Sequence, residues 1–150
     1  MSAMSSEESI GAAGAVRGVL LAQAAAREGP RRPLIEQLVR SYLDSLSKGD
    51  IEARLALFAP DASFEDPVGT PAMVGHAALR AFWTAGTGLE VRARLEHLAI
   101  AGDEAAFLFT AEVAAATDDR VAIRVVETIE VDDKGLISRM RAYFDRGAMT

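Results

Sequence analysis

The chain contains no cysteine and only two histidines, His76 and His97. Disulfides, thiol catalysis and cysteine-based metal sites are excluded, and a site built from several histidines is disfavoured. Basic charge is in deficit: 16 Lys and Arg against 22 Asp and Glu leave a formal net charge of -6. That balance argues against nucleic acid as a partner, because phosphate binding needs a basic surface. No apolar run reaches the roughly 18 to 20 residues that cross a bilayer, so no membrane span is expected. The start is not a secretory leader in pattern, since Glu7 and Glu8 stand where positive charge belongs and Arg17 interrupts the apolar run. A cytoplasmic protein is expected. The sequence also has no glycine-rich phosphate loop and no metal-ligand cluster, so no cofactor is expected.

What is present suits a single α+β domain. Of the 150 residues, 50% are apolar and 25% charged, a composition that supports a packed core. Residues 1–33 form an Ala/Gly-rich extension expected to be mobile, with helix favoured over 13–27. Gly29, Pro30 and Pro33 separate it from a domain over 34–146. Leu34, Ile35, Leu38, Val39, Tyr42, Leu43 and Leu46 recur at helical spacing, opened by Pro33 and closed by Gly49. A second helix capped by Asp50 presents Ile51, Leu55 and Phe58 inward and stops at Pro60. A short strand over 62–66 and a turn at Pro67 and Gly69 lead to a third helix, "GHAALRAFWTAG". After Gly88 the period falls to two. "EVRARLEHL", "AAFLFTAEV", "RVAIRVVETIEV" and "LISRMRAYF" read as an antiparallel meander joined at "AGDE", "ATDD" and "DDKG". His76 is expected at the third helix's start and His97 near a strand end. Arg92 and Arg94 read as a solvated face or a dimer contact.

Three polar groups fall on faces that should be apolar. In "ASFEDPVGTP", alternation puts Asp66 on the same side as Ala62 and Phe64, with Ser63 and Glu65 opposite. Glu127 interrupts the row Val121, Ile123, Val125, Ile129, Val131. Tyr42 lies on the stripe of the first domain helix. A carboxylate can act as a base, and a phenol and a protonated carboxylic acid can donate hydrogen bonds to a developing oxyanion. Structural alternatives stand beside this reading. Asp66 could cap the turn at Pro67, Tyr42 could be a core aromatic with a satisfied hydroxyl, and Glu127 could belong to an ion pair.

"YLDSLSKGDIEARLALFAPDASFEDPVG", "GHAALRAFW" and "VVETIEVDDKGLISRMRAYF" resemble the ketosteroid isomerase branch of the NTF2-like superfamily, which includes SnoaL-like proteins. The likeness covers roughly residues 34–146. It implies a cone-shaped fold, three helices packed in a curved, mostly antiparallel sheet around an apolar pocket, and homodimers formed through the outer sheet face. It also implies that Asp66 shuttles a proton while Tyr42 and Glu127 hold the dienolate oxygen. The sequence departs from the family in three places. Glu127 stands where the acid is usually Asp, Phe58 and Trp83 stand where supporting tyrosines are found, and Phe144 stands where a Trp is frequent.

The expected function is steroid Δ5-3-ketoisomerase-like: movement of a C=C bond of an apolar β,γ-unsaturated ketone into conjugation. Phe58, Val68, Trp83, Phe109, Val125, Met140 and Phe144 are expected to line the pocket. A SnoaL-like polyketide cyclase and a non-catalytic binder of sterols or other apolar molecules are the alternatives. Epoxide hydrolysis is disfavoured, because the polar Asp/Asn/Arg set that activates water is not evident in the pattern.

Overall fold

The computed structural model describes residues 6–115 and 119–150. The turn expected at "ATDD" therefore lies largely outside the described residues. Helix α1 (Ser6–Ala26) begins earlier than the helix expected over 13–27. Its Val16, Val19, Leu20 and Leu21 are exposed. Just beyond its end, Gly102 N–H donates to the Arg27 carbonyl at 2.8 Å, fastening this segment to a hairpin of the domain.

Helix α2 (Arg32–Lys48) carries Pro33 in its first turn and ends at Gly49, whose φ of 64° is the left-handed conformation that glycine adopts without strain. It buries Ile35, Leu38, Val39, Tyr42, Leu43 and Ser45, while Leu34, expected inward, is exposed. Asp50 caps α3 (Ile51–Leu55) by accepting from Ala53 N–H at 3.0 Å.

Helix α3 is shorter than expected, and Phe58 belongs instead to strand β1 (Phe58–Glu65). The reason is tertiary: the Leu57 carbonyl accepts from Ile137 N–H at 2.8 Å, drawing the backbone into a sheet before Pro60 is reached. Pro60 lies where the register of β1 shifts, between Phe58 and Ser63, and such an irregularity tolerates the missing N–H. Strand β2 (Met73–Val74) was not foreseen, being too short to show a period. Helix α4 (His76–Ala85) follows, then β3 (Glu90–Ala101), β4 (Glu104–Ala114), β5 (Arg120–Val131) and β6 (Ile137–Tyr143).

The six strands form one curved sheet in the order β2-β1-β6-β5-β4-β3. Every pairing is antiparallel except β1 with β6. The meander of the last four strands is as expected, and β1 closes the sheet beside the final strand. Helix α2 packs on β3, α3 on α2 and α4, and α4 on β1. One apolar core fills the space between them, with Ile35, Leu79, Ile137, Met140 and Phe64 among its sealed members.

Candidate active site

Strand alternation does what the sequence pattern required around Asp66. Ala62 and Phe64 are buried, and Asp66, one residue past the end of β1, is partly buried on the same side. On the other face Glu65 pairs with Arg141 at 2.5 Å. The Asp66–Pro67 peptide is cis. The turn beyond it is held by Thr70, whose N–H and hydroxyl both donate to the Pro67 carbonyl, at 3.1 and 2.7 Å. Asp66 is not among the groups that hydrogen-bond in this turn. Burial raises its carboxyl above the ordinary aspartate value.

Glu127 sits in the middle of β5, opposite Phe107 on β4 and Ala142 on β6, and is 3% exposed. The Tyr42 hydroxyl donates to its Oε1 at 3.3 Å, whereas Oε2 has no partner among the described residues. Glu127 takes part in none of the ion pairs among the described residues. Its carboxyl is raised well above the usual glutamate value, first by burial and then by the charge of Asp66; the Tyr42 hydrogen bond and the Arg54 charge pull the other way. An unpaired carboxylate at this depth is costly enough that the neutral acid is the form to expect. The Tyr42 phenol is likewise raised well above its usual value, by burial first and by the neighbouring Glu127 and Asp66 carboxyls next. Its ring meets Phe58 and Phe107 edge-on, at 6.2 and 6.3 Å.

Arg54 belongs to the same constellation, and the sequence reading passed over it. It is 5% exposed, Nε donates to Ser45 Oγ, and Nη2 donates to the Ser45 carbonyl, each at 3.1 Å. Its guanidinium lies 4.8 Å from the Trp83 ring centroid. The signal was available. Arg54 follows Ile51 by three positions and precedes Leu55 by one, so it shares the inner stripe of α3. The arginine thought absent from the inner surface is therefore present, which corrects the ground on which epoxide chemistry was disfavoured.

A cleft of about 540 Å³ opens beside these groups, lined by Arg54, Asp66, Trp83 and the apolar Leu46, Ile51, Phe82, Leu89 and Val91. Trp83 thus faces the cleft. Phe58, Phe109, Val125 and Met140 are buried in the contiguous core that also holds Tyr42. Val68 and Phe144 are not brought to this cleft. They line a separate one with Pro67, Arg124 and Tyr143, because the turn after Asp66 brings Val68 onto β6, where its N–H donates to the Ala142 carbonyl at 2.8 Å. His76 Nε2 meets the Phe58 carbonyl at 2.9 Å, and His97 lies at a bulge inside β3 rather than at its end. No cluster of three or more His, Cys, Asp or Glu placed to hold a metal ion occurs among the described residues.

Residues 39–140 match the SnoaL-like domain. The chain belongs to the SnoaL-like family, within the NTF2-like superfamily. This SnoaL-like domain is 34% identical over 115 residues to the Steroid Delta-isomerase of Nocardioides simplex, over 77% of this chain and 93% of that protein. It is 32% identical over 142 residues to Epoxide hydrolase LasB of Streptomyces lasalocidi, over 79% of this chain but 50% of that longer protein. Among solved structures, RV0760c from Mycobacterium tuberculosis in complex with estradiol-17beta-hemisuccinate superposes with a TM-score of 0.69 at 26% identity, over 75% of this chain and 95% of that one. No helix among the described residues is long and apolar enough to cross a membrane.

Proposed function

We propose that this SnoaL-like domain isomerises an apolar β,γ-unsaturated ketone of the steroid class, with Asp66 as proton shuttle. The ionised Asp66 removes a proton from the carbon between carbonyl and alkene. The electron pair moves onto the carbonyl oxygen, giving a dienolate that accepts hydrogen bonds from Tyr42 and the neutral Glu127. Asp66, now protonated, returns the proton to the far carbon, and the double bond ends in conjugation with no net gain or loss of atoms. The observation that carries this reading is the contrast within one constellation. A sealed Glu127 hydrogen-bonded to Tyr42 lies within electrostatic reach of a partly buried Asp66 that faces an apolar cleft. Paired titratable groups whose surroundings push them apart divide acid from base work. The 34% identity to a Steroid Delta-isomerase supports the substrate class.

Substrate must reach deeper than the present cleft, which ends at Trp83, to meet Tyr42 and Glu127. Trp83 packs edge-on against Phe58 at 5.4 Å, and Phe58 against Tyr42 at 6.2 Å, so a chain of aromatic rings links the cleft to the acid pair. Homodimerisation through the outer sheet face is part of the proposal, supported by the exposure of the paired Val126 and Tyr143 there.

The test is to mix the protein with a Δ5-3-ketosteroid and follow the ultraviolet absorption of the conjugated enone. Turnover abolished by Asp66→Asn supports the reading. Saturable binding without turnover replaces it with a binding role.

Arg54 and the likeness to Epoxide hydrolase LasB favour one second reading, epoxide opening. There Asp66 takes the proton of an attacking hydroxyl, and the neutral Glu127 gives a proton to the epoxide oxygen as the C–O bond breaks. Conversion of an epoxide substrate to diol or cyclic ether, with no enone formed from the ketosteroid, selects it.

A further inference from the structure

We propose that Arg54 binds an anionic group, a carboxylate above all, carried by an otherwise apolar ligand in the cleft of Asp66 and Trp83. The proposal names a substrate class for the site and rests on the isomerase reading only for the ligand's apolar body.

The argument starts from a buried cation. Arg54 is 5% exposed, and it appears in none of the ion pairs among the described residues. Arginine is almost never this buried without a paired charge. Part of the compensation is visible. Nε and Nη2 bond to Ser45, whose carbonyl belongs to the last turns of α2, the negative end of that helix. The indole face of Trp83 at 4.8 Å adds a cation–π contact. These contacts fix the guanidinium without neutralising it, since a helix end amounts to about half a charge.

The neighbouring carboxyls do not finish the task. Glu127 makes no ion pair with Arg54, and its burial favours the neutral form. The charge of Asp50 favours the guanidinium, but its side chain caps α3 and makes no ion pair with Arg54. Asp66, which shares the cleft, makes no ion pair with Arg54. Nη1 is left with no hydrogen bond among the described residues. It is not sealed away either, for the sealed polar atom without a partner is Glu127 Oε2. A pinned cation with a free donor, at a cleft otherwise walled by Leu46, Phe82, Leu89 and Val91, fits an amphiphile with an acidic end. An arginine fork held in place recognises a carboxylate in fixed geometry, and a charge-assisted hydrogen bond out of water is among the stronger single contacts.

Trp83 is the chain's single tryptophan and lies against Arg54, so its fluorescence reports binding directly. The probes are dodecanoate and dodecanol, equal in chain length and different in charge. Dodecanoate should bind the wild-type protein about 10- to 100-fold more tightly than dodecanol. Arg54→Gln should bring the two affinities to within about threefold by weakening dodecanoate alone. Arg54→Lys, which keeps the charge, should retain much of the preference. Equal wild-type affinities, failure of both probes to bind, or a preference that survives Arg54→Gln would each overturn the proposal. If Arg54→Gln does not fold, the wild-type ratio decides by itself. Enone formation from a neutral ketosteroid, lost in Asp66→Asn, is read separately, so the anion site and the isomerase reading fail independently.

Discussion

The rim of the cleft and the sealed core behind it hold the same functional group in opposite settings. At the rim, Asp66 follows the end of β1, is partly buried, and faces a cleft open to ligand. In the core, Glu127 is central in β5, flanked by β4 and β6, and sealed. Both carboxyls are raised by burial, but Glu127 further, because depth is greater and Asp66 adds its charge. The sheet sorts its acids by position. A strand end leaves a carboxylate near water and able to ionise, and burial at a strand centre favours the neutral form. One acid is thereby suited to take a proton and the other to donate a hydrogen bond.

Asp66→Asn removes the proposed base and leaves Tyr42 and Glu127 in place. Turnover of a Δ5-3-ketosteroid should fall about 100- to 10,000-fold, the range for loss of a general base. Stability by urea unfolding should stay within about 1 kcal/mol, since the change is nearly isosteric and Asp66 caps no turn. A variant that unfolds easily while retaining activity per folded molecule would return Asp66 to a structural role.

Tyr42→Phe acts in the core, beside Glu127. It should cost about 100- to 1000-fold in turnover through loss of one oxyanion donor. The edge-on contacts with Phe58 and Phe107 need only the ring and should persist. Unchanged turnover in a folded variant would remove Tyr42 from the mechanism.

Glu127→Gln sharpens the comparison through pH. The folded-state value of Glu127 is raised, so its contribution to stability is whole below the unfolded value of about 4.3 and is lost as pH rises toward the folded value. In that window wild-type stability should fall by up to about 1.4 kcal/mol per pH unit from this group, and the Gln variant should lack that slope. Paired unfolding curves from pH 4 upward measure it, and parallel curves would mean that Glu127 is ionised in the fold. Because the amide still donates, turnover should fall by less than about tenfold.

The pH profile of turnover tests the rim alone. Activity should rise with pH as Asp66 ionises, with the limb displaced above the ordinary aspartate value. The smallest expected effect is on assembly. Val126→Lys on the outer sheet face should shift a dimer toward monomer in light scattering without altering this limb.

Much of the site was readable along the chain. Periods of 3.6 and 2 put Tyr42, Asp66 and Glu127 on inner faces, and the spatial convergence of Tyr42 and Glu127 followed from both faces needing one core. Arg54 was equally periodic with Ile51 and Leu55, yet a long charged side chain is ordinarily able to extend its head to water, so its sequence position alone did not establish burial. Val68 and Phe144 show the converse limit. Each lies in or beside the right segment, but turns, not periods, set their direction, and both face the other cleft.

The sequence by itself determined the α+β class, the helical stripe of α2, the alternation of the last four strands and the inward face of the two acids, because each depends on local period. Tertiary structure alone decided that Phe58 leaves α3 for β1, that β1 runs parallel to β6, and that Ser45 and Trp83 hold Arg54 beside the cleft. Those outcomes depend on partners far apart in the chain. The backbone at Leu57 gains its hydrogen bond from Ile137, and no local pattern around either residue names the other.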